Sequence, residues 1–411
     1  LKMFNIFTDI LRVFPEAYIM DKRLKIAFFN DVFYPMVDGV VIVIDNYAKR
    51  LAKFADVTLF CPKPIEKSYD DSKYNFKVER CRRMKFFSYE YPIATIPFDP
   101  SFRKKINAQN FDIVHVHDPF FVARYGIKYA KKNNIPVVGT IHSQLKRDFY
   151  KATKSQFLTE RLTRYIMKAY NSCDECWAVN EKIKEVYVRD YKLTAPGIVM
   201  NNATDMLPVD PYEAFKTINE NYGISPDEKV LVFLGRINEI KNIFLIADSL
   251  KYIKNAGIPF KMVFIGKGPD ENRLKALVSE NGLNNNVIFT GRLTDRHLIA
   301  QFLSRADLFL FPSVYDTSSL VQIEAASQHT PSIFIRGSVT SFTATENVDC
   351  FMSEETPEDF ANCIITALGN EELLKKTGDK AFENLYVTWD AAVEKTYKRY
   401  LELIEAKKSA K

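Results

Sequence analysis

Several things are scarce or missing in this sequence. Six cysteines and two tryptophans in 411 residues are too few thiols for a disulfide-stapled secreted scaffold. No run approaches the ~18 uninterrupted apolar residues of a spanning helix. No secretory leader pattern is visible, no tract is of low complexity, and no repeat goes beyond a weak likeness of the two halves. Cys173-Asp174-Glu175-Cys176 has the spacing of a metal or redox pair, but no second pair or histidine partner follows it. It reads as two reduced structural thiols, and the compartment as cytoplasmic. A content of 47% hydrophobic and 13% aromatic residues excludes a disordered chain. The length exceeds one small domain and suggests two, or one large α/β unit.

Net charge is also small, +6 overall, but it is unevenly spread. Residues 1–200 hold 34 basic against 22 acidic side chains, residues 201–411 hold 23 against 29, and residues 101–170 alone hold 14 against 4. A basic front half pre-orients a protein toward a polyanion or an anionic membrane surface. Arg80, Arg82, Arg83 and Lys85 stand beside Phe86 and Phe87, and further on come Arg103-Lys104-Lys105, Lys131-Lys132, Lys146-Arg147, Lys151 and Lys154. Nucleic acid is not expected as the partner, because it would leave the strand-end motifs below unexplained. Residues 1–21 carry an apolar periodicity broken by Asp9, Arg12 and Glu16. They read as a surface-lying amphipathic helix or as an extension packed on the first domain.

Short Val/Ile/Phe-rich runs alternate with helical patterns nearly throughout. Strands are expected at Lys25–Phe29, Val57–Cys61, Ile113–Val116, Val137–Ile141, Cys176–Val179 and Ile198–Met200. They continue at Val230–Leu234, Met262–Ile265, Val287–Thr290, Leu308–Phe311 and Ser332–Ile335. Such alternation predicts buried parallel sheets with helices on both faces. Eleven strands are too many for one comfortable sheet, and the pattern restarts near Val230. Two doubly wound domains are therefore expected, with a break near Ala195–Pro208. The expected division is 1–196, 197–386 and a closing helix at 387–411.

Ligands of doubly wound sheets bind beyond the carboxyl ends of the strands, so the residues following each strand matter most. After the first strand, Gly39 opens a helix, where backbone can approach an anion. After Leu234 comes Gly235-Arg236-Ile237-Asn238-Glu239-Ile240-Lys241-Asn242. An arginine fork and a lysine point charge on one loop can clamp a diphosphate, or they are a solvated surface pair. After Phe311, Asp316 and Glu324 flank the start of a helix. Asp316 can be a helix cap or grip sugar hydroxyls, while a buried Glu324 needs a partner that a ligand could supply. His115, His117 and His142 end strands of the first domain, as structural side chains or as cleft residues.

Together these residues resemble the retaining glycosyltransferases of family four, over nearly the whole chain. The specific parts are Gly235-Arg236…Lys241-Asn242, Gly266-Lys267-Gly268-Pro269, Gly291-Arg292-Leu293 and Asp316…Glu324-Ala325. Asp38-Gly39-Val40, His117-Asp118-Pro119 and His142 look like the N-terminal half of the same pattern, and Asn202-Ala203-Thr204-Asp205 sits where the family usually has an Asn-Gly-x-Asp turn. The resemblance implies a GT-B fold, two Rossmann-like domains facing a central cleft, the first for the acceptor and the second for the donor, with a C-terminal helix crossing back. It implies a nucleotide-sugar donor, UDP-linked in the expected case, and no metal or other cofactor. Arg236 and Lys241 would neutralise the diphosphate, and Glu324 would hold the ribose. Arg292 and Leu293 would meet the base, and Asp316 with Ser318, Ser319, Leu320 and Val321 would position the hexose. Gly39 would approach the phosphates and His142 the sugar and acceptor.

Two departures stand out: Asp316 replaces the usual Glu, and Ser319 a usual Gly. The acidic-Thr-Ser-Ser-Leu-Val form is similar to that of enzymes glycosylating diacylglycerol or other membrane lipids. A hexosyltransferase acting on a lipid or lipid-linked acceptor, peripheral at the inner face of the plasma membrane, is the leading expectation. The alternatives are the same chemistry on a soluble acceptor, or a retired accessory protein of the same fold.

Overall fold

The computed structural model describes residues 23–65, 69–84 and 93–410. The expectations for residues 1–21 and for Lys85, Phe86 and Phe87 lie outside them. The chain divides into unit 1, Leu1–Asn201 with Trp389–Lys411, and unit 2, Asn202–Thr388.

Unit 1 contains β1 (Lys25–Phe29), β2 (Asp56–Pro62), β3 (Lys77–Cys81), a ribbon of β4 (Arg83–Met84) and β5 (Ile93–Ala94), β6 (Ile113–His117), β7 (Val137–Ile141), β8 (Glu175–Ala178) and β9 (Gly197–Val199). The main sheet runs β3-β2-β1-β6-β7-β8-β9, all parallel. Its helices are α1 (Gly39–Leu51), α2 (Pro100–Asn107), α3 (Phe121–Asn133), α4 (Leu145–Thr153), α5 (Gln156–Tyr170) and α6 (Glu181–Arg189). Because β9 pairs with β8, unit 1 runs to Asn201 and not merely to Pro196.

Unit 2 contains β10 (Lys229–Leu234), β11 (Phe260–Ile265), β12 (Val287–Gly291), β13 (Leu308–Phe311), β14 (Ser332–Ile335) and β15 (Cys350–Ser353), ordered β12-β11-β10-β13-β14-β15. Its helices are α7 (Pro211–Tyr222), α8 (Ile243–Asn255), α9 (Glu271–Glu280), α10 (Arg296–Arg305), α11 (Leu320–Ala326), α12 (Pro357–Leu368) and α13 (Glu371–Leu385). In β10, Leu231 and Phe233 enter a core with Ile243, Phe264 and Phe360, while Val230 and Val232 enter the opposite one with Phe302, Phe309 and Phe334. Side chains alternate across a strand, so a run apolar at every position is a strand buried on both faces.

The last helix, α14 (Trp389–Ser409), returns to unit 1. Trp389 meets Tyr47 edge-on, Tyr397 meets Phe54, and Arg399 Nε lies 3.0 Å from Glu175 Oε2. No helix among the described residues is long and apolar enough to cross a membrane.

One capping contact ties the end of β1 to α3. Phe120, at the helix start, offers no capping side chain. The buried Asp31 carboxylate instead accepts from Phe121 N at 3.0 Å and Val122 N at 2.9 Å. Asp31→Ala would leave these N–H groups without a partner inside the fold. The expected cost is about 2 kcal/mol or more, read as a melting temperature lower by about 4 °C or more. An unchanged melting curve would refute the cap.

Candidate functional site

The strand order of unit 2 reverses between β10 and β13, and the loops leaving these neighbours flank that gap. Three loops are laced together there. Gly235 N donates to Ile265 O, Ile237 N to Lys267 O and Gly266 N to Gly291 O, at 3.0, 3.1 and 2.9 Å. The approach is possible only without side chains. A Cβ on Gly266, whose φ is +146°, would stand 1.8 Å from Gly235 O, and one on Gly268 2.0 Å from Ile237 O. The Gly266-Lys267-Gly268 motif thus makes room for the loop that carries Arg236.

Asn238 starts the 3₁₀ turn Glu239–Lys241, its side chain accepting from Lys241 N. Asn242 follows in the left-handed conformation and donates to Glu355 Oε1 at 2.9 Å. These two asparagines fix the direction in which Lys241 leaves the loop. Its ammonium sits 2.7 and 2.8 Å from the two Asp316 oxygens, each side chain 21% exposed. Asp316 is therefore not a helix cap. It is a carboxylate from the β13 loop paired across the gap with a cation 75 residues earlier. Thr340 Oγ1 donates to its carbonyl at 2.9 Å, and Asn202 Nδ2 lies 3.3 Å from Ser318 Oγ. Arg236, exposed on the same loop as Lys241, has no ion pair among the described residues.

Ser319 precedes α11 without capping it, so Leu320 and Val321 open a helix whose first turn lacks a side-chain cap. Glu324 lies further along α11, 6% exposed. Its Oε1 accepts from Arg296 Nη2 at 2.5 Å, and its Oε2 is buried with no partner. Burial pushes this carboxyl above the ordinary range, and Arg296 opposes the shift only in part. An orphaned carboxylate oxygen on a helix at the switch point is suited to a ligand hydroxyl. Arg292 is exposed, and Leu293 packs against the core beside β12. Pro269 does not start a helix, since α9 begins at Glu271.

Unit 1 has its own switch point between β1 and β6. Gly39 is exposed at the first turn of α1, where a Cβ would meet nothing within 4 Å, and Asp38 caps the helix by accepting from Val41 N at 2.8 Å. The three histidines at strand ends separate into different roles. His115 is sealed in, Nδ1 at 2.5 Å from Tyr400 Oη and Nε2 at 2.6 Å from Thr140 Oγ1, and is structural. His117 Nδ1 lies 2.9 Å from His142 Nε2, while His117 Nε2 is buried without a partner. Burial pushes His142 down to about 4, a neutral imidazole. Asp118 is pushed up to about 8 by burial first, then by the carboxylates of Asp38, Asp31 and Asp148.

Much of the expected basic surface is committed elsewhere. Arg80 pairs with Asp71 at 2.7 Å, Arg83 Nε binds Pro64 O at 2.6 Å, and Lys105 pairs with Glu79 at 2.6 Å. Four site-shaping residues escaped the sequence reading: Arg296, Asp31, Thr340 and Asn238. Arg296, Asp31 and Thr340 act through partners distant in sequence, and Asn238 through a side-chain cap on Lys241 N.

Residues 37–206 match the family model "Glycosyltransferase Family 4", and residues 214–384 match "Glycosyl transferases group 1". The chain is 25% identical over 317 residues to alpha-monoglucosyldiacylglycerol synthase of Streptococcus pneumoniae, covering 75% of this chain and 70% of that one. Sucrose-phosphate synthase from Thermosynechococcus elongatus superposes with a TM-score of 0.74 at 18% identity, over 93% of this chain and all of that one. The Anabaena HepE complex with UDP and glucose does so at 0.68 and 15% identity, over 92% and 100%. Two Rossmann-like units and these matches define a GT-B glycosyltransferase. Within that class, the chain belongs to glycosyltransferase family four.

Proposed function

We propose that this enzyme is a retaining, metal-independent hexosyltransferase. It moves a hexose from a UDP-sugar to a membrane lipid or lipid-linked acceptor at an anionic membrane surface on the cytoplasmic side. The observation that carries the donor chemistry is the Lys241–Asp316 pair at the gap between β10 and β13, with Arg236, which has no ion pair among the described residues, on the same loop. Two cations in a partly dry site can neutralise a diphosphate and stabilise it as it leaves, the role a metal ion plays elsewhere. Asp316 and the first turn of α11 hold the hexose, Ser318 and Ser319 lining the approach. Glu324 Oε2 accepts from the ribose, and backbone at Arg292 and Leu293 meets the base. In unit 1, Gly39 serves the phosphates, and His142, neutral and hydrogen-bonded, the sugar and acceptor. The lipid acceptor is supported by the likeness to the diacylglycerol-glucosylating synthase, and the UDP-linked donor by the likeness to HepE.

A panel of UDP-, GDP- and ADP-sugars scored by thermal shift tests the donor. A ligand at 100-fold its Kd adds ~2.7 kcal/mol of stability, and the UDP-sugars are expected to give the largest shift. No shift with any donor, together with no nucleotide release in the presence of diacylglycerol, would return the chain to an accessory role.

A further inference from the structure

Unit 1 carries a groove of about 650 Å³ between α2, α3 and α5. Five cations line it, Arg103, Arg124, Lys128, Lys131 and Lys168, and no acidic residue does. None of the five makes an ion pair among the described residues. The Arg103 Nε is buried and has no hydrogen-bond partner. A guanidinium with an unsatisfied N–H, among four further cations and no carboxylate, favours an anion beside it. Arg124 is already held in place, its guanidinium 3.9 Å from the Tyr165 ring centroid and its Nη1 donating to Tyr165 O at 2.8 Å.

The groove continues into an apolar surface. Tyr165 both lines it and belongs to the outer face of α5, where Leu158, Leu162 and Tyr165 are exposed at a spacing of one helical turn and Phe157 is 65% exposed. The inner face of the same helix, with Ile166, Met167, Ala169 and Tyr170, is buried in unit 1. A helix apolar on both sides, with Arg161, Arg164 and Lys168 along the outer one, matches the pattern of a segment lying in a membrane interface.

We infer that this groove seats the phosphate of an anionic phospholipid headgroup while the outer face of α5 rests in the leaflet. Charge complementarity selects the occupant: five cations and no acid fit an anionic bilayer, and the adjoining stripe has no use for a soluble phosphate. The inference deepens the lipid-acceptor reading and rests on it for its purpose. The test uses the full chain without donor or acceptor, so a failure of glycosyl transfer leaves it standing.

The experiment is vesicle pelleting with phosphatidylcholine alone and with added phosphatidylglycerol. Wild type is expected to bind only the anionic vesicles. Each well-placed cation contributes about fivefold. The triple variant Arg103→Gln, Lys128→Gln, Lys131→Gln is therefore expected to bind at least about tenfold more weakly. An equal charge change on unit 2, Lys216→Gln, Lys375→Gln, Lys376→Gln, is expected to leave binding within about twofold of wild type. Leu158→Ser with Leu162→Ser, which keeps every charge, is expected to weaken it as well. Equal losses from both charge triples would reduce the effect to net charge and overturn the site. So would release of the bound protein by inorganic phosphate at matched ionic strength, which would make the groove a free-phosphate site.

Discussion

Lys241→Ala is expected to lower kcat by about 10²–10³-fold, the usual effect of removing one fixed charge that meets developing charge in a transition state. The cation gains most when the glycosidic bond breaks and the diphosphate takes up the bond's electrons. Its removal should therefore reduce kcat and kcat/KM together rather than raise KM alone. The structure adds a consequence for stability. Lys241 is paired with Asp316, each 21% exposed, so the variant leaves a partly buried carboxylate alone. That should cost about 1 kcal/mol, between the value of an exposed pair and that of a buried one. Steady-state kinetics and a melting curve read both effects. Wild-type turnover in the variant would refute the clamp, and a collapse of the fold would mean that the lysine is mainly structural. Lys241→Arg keeps the charge and should recover part of the rate, since a merely space-filling residue would not need it.

The parts legible in the sequence were those whose physics is local. Strands buried on both faces announce themselves as continuous apolar runs, and all eleven expected strands are present. Four described strands were not expected: β3 and β15, at edges of the two sheets, and the two-residue strands β4 and β5. β3 reads Lys-Val-Glu-Arg-Cys, because a strand with one neighbour can carry charge, while β15, Cys-Phe-Met-Ser, is only four residues long. The units divide between Asn201 and Asn202, within the expected break but after the strand at Gly197–Val199, whose pairing with β8 adds the last strand to the first sheet.

In the structure Arg236 and Lys241 follow β10, and Asp316 and Glu324 follow β13, the strand ends at which a doubly wound sheet presents its loops. Pairing was not legible. Nothing in the spacing of Lys241 and Asp316 or of Arg296 and Glu324 reveals that the members touch, since each contact depends on strand order. Arg80 and Arg83 show the converse error. Their density in sequence suggested a membrane patch, but tertiary contacts with Asp71, Pro64 and Ile65 occupy them. Five cations that make no ion pair among the described residues line the groove between α2, α3 and α5.

Glu324→Gln should separate function from stability more cleanly than any other change. One carboxylate oxygen is held by Arg296 and the other is buried without a partner, an arrangement that costs folding free energy while the site is empty. A neutral isostere relieves that cost. Arg296, 54% exposed at its side chain, can turn to water when its ion pair is lost. The unliganded variant should therefore melt no lower than wild type, and the shift is expected to be upward. Donor binding should move the other way. A hydrogen bond to a charged acceptor contributes about 1.5–3 kcal/mol, so losing it should weaken a UDP-sugar by about tenfold to a hundredfold. Glutamine cannot restore it, since its carbonyl accepts without charge and its NH2 turned toward the ligand puts a donor where an acceptor is needed. Opposite signs in the two measurements are the mark of a residue kept for its ligand and not for the fold. If melting temperature and donor affinity both fall, Glu324 is a packing residue and the ribose contact is elsewhere. If affinity is unchanged at equal or higher stability, the buried oxygen faces no ligand at all.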